Sequence, residues 1–317
     1  MSFHRFNMTL SGSCATFASL VIVGLLSMHA THLSKPNEQI KIMKIGLLIP
    51  FYSILSLLSI CFPKGAVDIT PWLDLVQSVA LGSFFLLMCE FVSENPSQRD
   101  LFFAALVVRD KKSPSGKGGG LAWYRSRWIM IFQQLVSTLN LVKDVSLAAA
   151  MVSVLKFYFG LRKHLTQHKP LAKLLAFKLV VITTFVLTIV FWILKDAKVL
   201  NGNSTLTYAD LNIGLPNMII CVLMVPPCIF FHYVNSLGPY IISRNAIPAD
   251  ETGARRLQRY QGGFLGGRAW IRALNPWETI KAIMFALTMA ADSYQERSAN
   301  QNNVLPAAGY MVRGGRR

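Results

Sequence analysis

Residues Met43 to Phe62, MKIGLLIPFYSILSLLSICF, decide how the rest of the chain is read. At about 20 residues with only Lys44 charged, the run is long enough to cross about 30 Å of hydrocarbon at 1.5 Å per residue. Backbone polar groups find no water there, so the run must be a helix. Pro50 is tolerated inside it because neighbouring helices can re-satisfy the freed carbonyl.

Working outward, similar runs cover 11–32, 72–92, 174–194 and 213–242. The first is too long, and lacks the small-residue cleavage site and polar start expected of a removed leader, so it reads as a retained span. The third begins after a turn predicted over Pro63–Pro71. Lys178 sits near the start of 174–194 and can snorkel to the interface. The last carries Pro216 at its entry and Pro226-Pro227 as a predicted kink or break. Composition agrees: 53% of 317 residues are hydrophobic, 15% are charged and mean hydropathy is +0.42. A soluble domain carries about a quarter charged residues, so this chain lacks the polar surface to coat a globule.

Trp128 to Gly160 admits two readings. As one helix its roughly 33 residues would measure about 50 Å, far beyond one bilayer. Lys143 and Asp144 would then lie in lipid at about 2.5–3.5 kcal/mol each. As a tight hairpin, spans 128–142 and 145–161 return the chain to the same side, and this reading is favoured.

The net charge of +17 would suggest nucleic acid in a soluble protein, but no binding motif or aromatic platform accompanies it. Instead the basic residues follow a membrane's polarity. With seven spans and an outer N-terminus, only Arg5, Lys64, Lys143, Lys195 and Lys198 fall outside. Lys35, Arg99, Arg109, Lys111, Lys112, Lys163, Lys169 and the whole basic tail fall inside, as the positive-inside rule requires. Both glycosylation sequons, at Asn7 and Asn203, lie on the outer side. The predicted architecture is therefore an all-α polytopic integral membrane protein. It has about seven transmembrane helices in 1–242, an outer N-terminus and a cytoplasmic tail over 243–317.

Other motifs carry less. The glycine-rich stretch 113–120 lacks the Gly-Lys-Ser/Thr ending of a phosphate loop and reads as a solvated loop. The five cysteines lie in or beside apolar runs without zinc or CxxC spacing, as small hydrophobes. No metal spacing and no nucleophile with a visible base appear, so neither an enzyme nor a cofactor is expected. In the tail, Asn275-Pro276-Trp277-Glu278 has the residue types of a helix start. Trp277, Ile280, Ile283 and Leu287 then recur at helical spacing, predicting an amphipathic helix over 276–289. It lies in the membrane interface or binds a cytosolic partner in a groove. Arg255, Arg256 and Arg259, with the Gly262-Gly263 and Gly266-Gly267 pairs, read as a basic, flexible link, solvated or touching anionic lipid.

Several stretches in order carry a resemblance. Lys44-Ile-Gly-Leu-Leu-Ile-Pro50-Phe-Tyr52-Ser53, the run from Gly82 to Glu90, His168-Lys169-Pro170 through Lys178, Pro216-Asn217 through Cys221-Val222, Gly238-Pro239-Tyr240 and Asn275-Pro276-Trp277 together resemble the organic solute transporter alpha-subunit and transmembrane-protein-184 family, in its fungal style. The resemblance implies seven spans, an outer N-terminus and movement of organic anions or steroid conjugates. It also implies a small single-span partner subunit. Two carboxylates usual in that family are absent: Gln77 and Leu223 stand in their places, and the loop usual between the fourth and fifth spans is deleted around Lys143. Polar residues inside spans, namely Tyr52, Asp74, Gln77, Asn140, Asn217 and His232, are the candidates for lining a solute pathway. The expected function is a transporter-like protein for amphipathic organic solutes at a vacuolar, endosomal or plasma membrane, alone, as a homo-oligomer or with a partner subunit. The alternative is a scaffold whose tail recruits a cytosolic protein.

Overall fold

The computed structural model describes residues 3–93, 95–109, 117–137, 143–161, 207, 209–242 and 260–291, with short pieces of 175–194. Helix α1 covers Phe3–Thr31 and starts well before the predicted position 11. Helices α2 (Pro36–Gly46) and α3 (Leu48–Cys61) form one rod interrupted only at Leu47. The cause is Pro50, which has no N–H to offer the carbonyl four residues back. Leu47 and Phe51 keep their own backbone bonds, to Met43 and Leu47, so the rod continues past the gap.

A 3-10 turn, Pro63–Gly65, leads into α4 (Ala66–Val92). Here the structure corrects the predicted turn. Pro71 lies inside the helix, and the turn ends at Gly65. Helix α5 (Pro96–Ala105) follows, then a two-stranded ribbon of β1 (Val107–Arg109) and β2 (Lys117–Gly119), paired antiparallel. The stretch 113–120, read as a solvated loop, thus includes strand β2, and a helix and a ribbon flank residues 110–116.

Helices α6 (Gly120–Ser137) and α7 (Lys143–Leu161) pack side by side. Trp123 stacks on Phe157 at 5.4 Å and lies against Gly160, while Arg127 donates to Ser153 Oγ at 3.2 Å. The paired numbers rise on one helix as they fall on the other, so the two run antiparallel. Residues 138–142, which would join them, lie outside the described residues.

In 175–194 the described pieces are helical, and Ala176, Val180 and Thr184 turn inward at four-residue spacing. A π turn at Asp210–Gly214 opens α8 (Leu215–Leu223) and α9 (Val225–Val234), which end beside the 3-10 turn Gly238–Tyr240. Pro226-Pro227 interrupts the helix at Met224 without ending it, because Met224 and Cys228 still donate to Ile220 and Met224.

Among the described residues, four helices are long and apolar enough to cross a membrane: Phe3–Thr31, Pro36–Cys61, Pro63–Val92 and Asp210–Tyr240. The chain is therefore an all-α polytopic membrane protein with at least these long apolar helices. Small residues let them close up. A Cβ added at Gly46 would stand 2.8 Å from Leu26 and 3.0 Å from Phe231, where α1, α2 and α9 meet.

The tail is more ordered than a solvated link. Gln261 donates to Leu33 O at 2.8 Å, and Gly262 and Gly266 press on Ala30. Short helix α10 (Gly267–Leu274) and a longer one, α11 (277–291), follow and pack on the bundle. Residues 243–259 and 292–317 lie outside the described residues.

Candidate functional site

One end of the bundle gathers the charges. Helix α1 ends there, α2 and α6 begin there, α4 and α9 end there, and α11 lies across it. Lys41 and Lys44 sit on successive turns of α2 and are almost fully buried. Lys41 Nζ donates to Asn37 O at 2.9 Å and to Glu90 Oε2 on α4 at 3.3 Å. Arg99 on α5 reaches the same oxygen at 3.5 Å and donates to Ser93 O at 2.9 Å. One carboxylate thus ties two buried cations, which makes it more than an exposed pair of small worth.

Lys44 is paired across the chain with Glu278 on α11, at 2.9 Å. Burial works against the charge on Glu278, but Lys44 in contact, with Lys41 and Arg272 behind it, outweighs that and holds the carboxyl below its ordinary range. Trp128 Nε1 donates to Ala282 O on the same helix at 3.1 Å, and its ring meets Phe285 edge-on at 5.2 Å.

Between these groups lies a cavity of about 510 Å³, walled by α2, α4, α5, α6 and α11. Lys41, Arg99 and Lys281 face it as cations, Glu90, Asp100 and Glu278 as anions, and Tyr124, Trp128 and Phe285 supply aromatic wall. Behind the wall is a packed aromatic cluster: Phe103 stacks on Tyr124 at 4.1 Å, and Phe85 meets Phe157 at 4.8 Å. Apolar walls with a few convergent charged groups are what a small-molecule site requires.

The sequence-predicted pathway residues that the structure describes are placed elsewhere. Tyr52 donates to Gln77, joining α3 and α4 deep in the bundle. Asp74 is three residues before Gln77 on α4, and Thr184 lies within hydrogen-bonding reach of the Tyr52 hydroxyl. Asn217 spends its amide on Ile213 O at 2.8 Å within its own helix, and His232 is exposed on the outside of α9. Asn140 and Asn203 lie outside the described residues. Asn7 is fully buried, accepts from Ser11 and faces Gly214.

The cluster at the charged end escaped the sequence reading. Lys44 stood out only as the single charge of the 43–62 run, and Arg99 only as one of the inner-side charges. The i, i+3 spacing of Lys41 and Lys44 on α2, at the mouth of an apolar run, was the available signal. A second polar knot lies at the same end: His29 is fully buried and contacts Asn235 O at 2.8 Å, while Tyr240 donates to Glu38 at 3.2 Å.

Comparison with known proteins decides the family. The pattern described as "Organic solute transporter Ostalpha" matches residues 7–139 and 134–240, well over half of the chain. The chain belongs to the organic solute transporter alpha family. That family is a transporter class and not a catalytic one, and no group of metal-binding side chains occurs among the described residues. The family match divides at 134–139, a few residues before Lys143. The Transmembrane protein 184 homolog of Dictyostelium discoideum is 24% identical over 269 residues, a match that covers 74% of this chain. The chain spans about half of that protein, 53% of its length. No solved structure matches the chain.

Proposed function

We propose that this chain moves, or helps to move, amphipathic organic solutes across a membrane, and loads them at the charged cavity. The observation that carries the reading is the pairing of aromatic wall with buried cations. An amphipathic anion offers an apolar body to Tyr124, Trp128 and Phe285 and an acid group to Lys41 and Arg99. Glu90 and Glu278 already engage Lys41, Arg99 and Lys44, so a solute's acid group competes with carboxylates of the protein itself. The Tyr52–Gln77 pair, with Asp74 and Thr184 nearby, is the polar step deeper in the bundle.

The topology that goes with this reading has seven spans, an outer N-terminus and a cytoplasmic C-terminus. The α6–α7 pair supplies the fourth and fifth crossings and 175–194 the sixth. The cavity then opens on the cytoplasmic side. The one-sided distribution of Lys and Arg supports that orientation. Asn203 is the glycan acceptor on the opposite face. The outward apolar surface of α1 and α4, with Leu20 and Val67 exposed, faces lipid and any single-span partner or second copy. A fungal-type member at a vacuolar, endosomal or plasma membrane fits the sequence.

Purified protein in liposomes tests the reading. Uptake of an amphipathic organic anion is expected above that of empty vesicles, with a marked loss for Arg99→Ala and Trp128→Ala. Uptake no greater than that of empty vesicles for a panel of such anions overturns it.

A further inference from the structure

Residues 260–291 bury the wrong side chains for a segment that faces water. In α10, Ala269 and Ala273 turn inward, while Ile271 and Leu274 stand 72% and 61% exposed. Helix α11 repeats the inversion. Thr279, Ala282, Ala286 and Met289 pack on the bundle, and Trp277, Ile280, Met284 and Leu287 face out. Ile283, grouped with them in the sequence pattern, turns toward the core instead.

The turn before α10 goes further. Leu265 is held at φ 48° between Gly263 at 76° and Gly266 at 75°, a left-handed backbone that is sterically unfavourable for a leucine. The conformation is imposed from below: a Cβ at Gly262 would stand 1.9 Å from Ala30 O, so the chain is pinned to the end of α1. The result is to push Phe264 and Leu265 outward, 90% and 75% exposed.

We propose that 264–288 is a collar lying flat in the headgroup layer of an anionic leaflet. Phe264, Leu265, Ile271, Leu274 and Trp277 enter the acyl boundary, and Arg268, Arg272 and Lys281 stand at the lipid phosphates. Two observations choose lipid as the occupant. The collar is fixed to the ends of α1 and α2, where membrane-crossing helices leave the hydrocarbon, so its outer face continues theirs. Its charge is also one-sided: between 260 and 291 the only acidic residue is Glu278, which is paired to Lys44. Bulky apolar groups flanked by arginine suit an interfacial helix on anionic lipid. Lys281, 5.7 Å over the Trp277 ring, places a cation beside the residue type that favours headgroup depth. The collar stands whether or not a solute is moved.

The full chain is reconstituted in phosphatidylcholine vesicles with or without phosphatidylserine, with nitroxide lipids labelled near the headgroup or near the chain end. Trp277 emission is read as the difference between the parent chain and Trp277→Phe. Leu274→Trp, at another exposed position, gives a second reading. Expected are loss of the signal to the shallow nitroxide, protection from aqueous acrylamide, and stronger quenching with phosphatidylserine that disappears in Arg268→Gln/Arg272→Gln. Quenching by acrylamide and not by nitroxide overturns the collar in favour of a water-facing surface. Protection from both quenchers overturns it in favour of a protein partner. Equal quenching in the two lipid compositions overturns the anionic preference.

Discussion

Lys44 and Glu278 show how one pair holds a distant segment. The lysine side chain is 4% exposed and the carboxylate 49%, so removing the carboxylate strands a buried cation that water reaches from one side only. Glu278→Gln should cost about 1–2 kcal/mol, between the value of an exposed pair and that of a buried one. The loss should appear as faster hydrogen exchange in 277–291. The pH dependence has a definite sign. Because the folded carboxyl sits below its ordinary range, its contribution is complete above the unfolded pKa and is lost as pH falls through the folded one. Protection of 277–291, corrected for the intrinsic pH dependence of amide exchange, should therefore stay constant near neutrality and fall only in acid, and the fall should vanish in Glu278→Gln. Deeper in the bundle, Tyr52→Phe removes the donor to Gln77 and should lower the midpoint of thermal unfolding in detergent by the equivalent of about 1 kcal/mol. Tyr52 and Gln77 were legible as polar residues in apolar runs. That they face each other was not, because the distance between spans is set by side chains on both helices.

The glycines at the start of the collar look like a flexible linker in sequence and act as a close-packing surface in the structure. Composition cannot separate the two uses, since glycine serves both mobility and close approach. Gly262→Ala places a methyl 1.9 Å from Ala30 O and should release 260–274 from the end of α1. Limited proteolysis near Arg268 should then speed up, while Gly267→Ala, where a Cβ meets nothing within 4 Å, should leave it unchanged. Prolines carried a similar ambiguity. Pro50 and Pro226-Pro227 interrupt helices without ending them, and Pro71 sits within α4, because packing on neighbouring helices outweighs one or two lost backbone bonds. By contrast, the Trp277-containing helix was readable from its cap residues. Its docked Thr279-Ala282-Ala286 face was not, because hydrophobic periodicity points to the bulky residues, and here the small ones face inward.

At the scale of the molecule, the apolar runs gave fold class directly: lipid demands helices of a certain length, and four such helices are present among the described residues. The charged cavity was hidden because it draws on five elements, from Lys41 on α2 to Phe285 on α11, that no local pattern connects. Solute loading at this cavity requires those elements to meet on one membrane face with the basic loops. Single cysteines introduced at Lys64, Lys111, Lys163 and Lys281 in a cysteine-free background, probed with a membrane-impermeant maleimide in sealed vesicles, test this directly. Lys64→Cys should be labelled on one side of the membrane, and the other three together on the opposite side. Labelling of Lys111→Cys and Lys163→Cys from opposite sides would contradict the account.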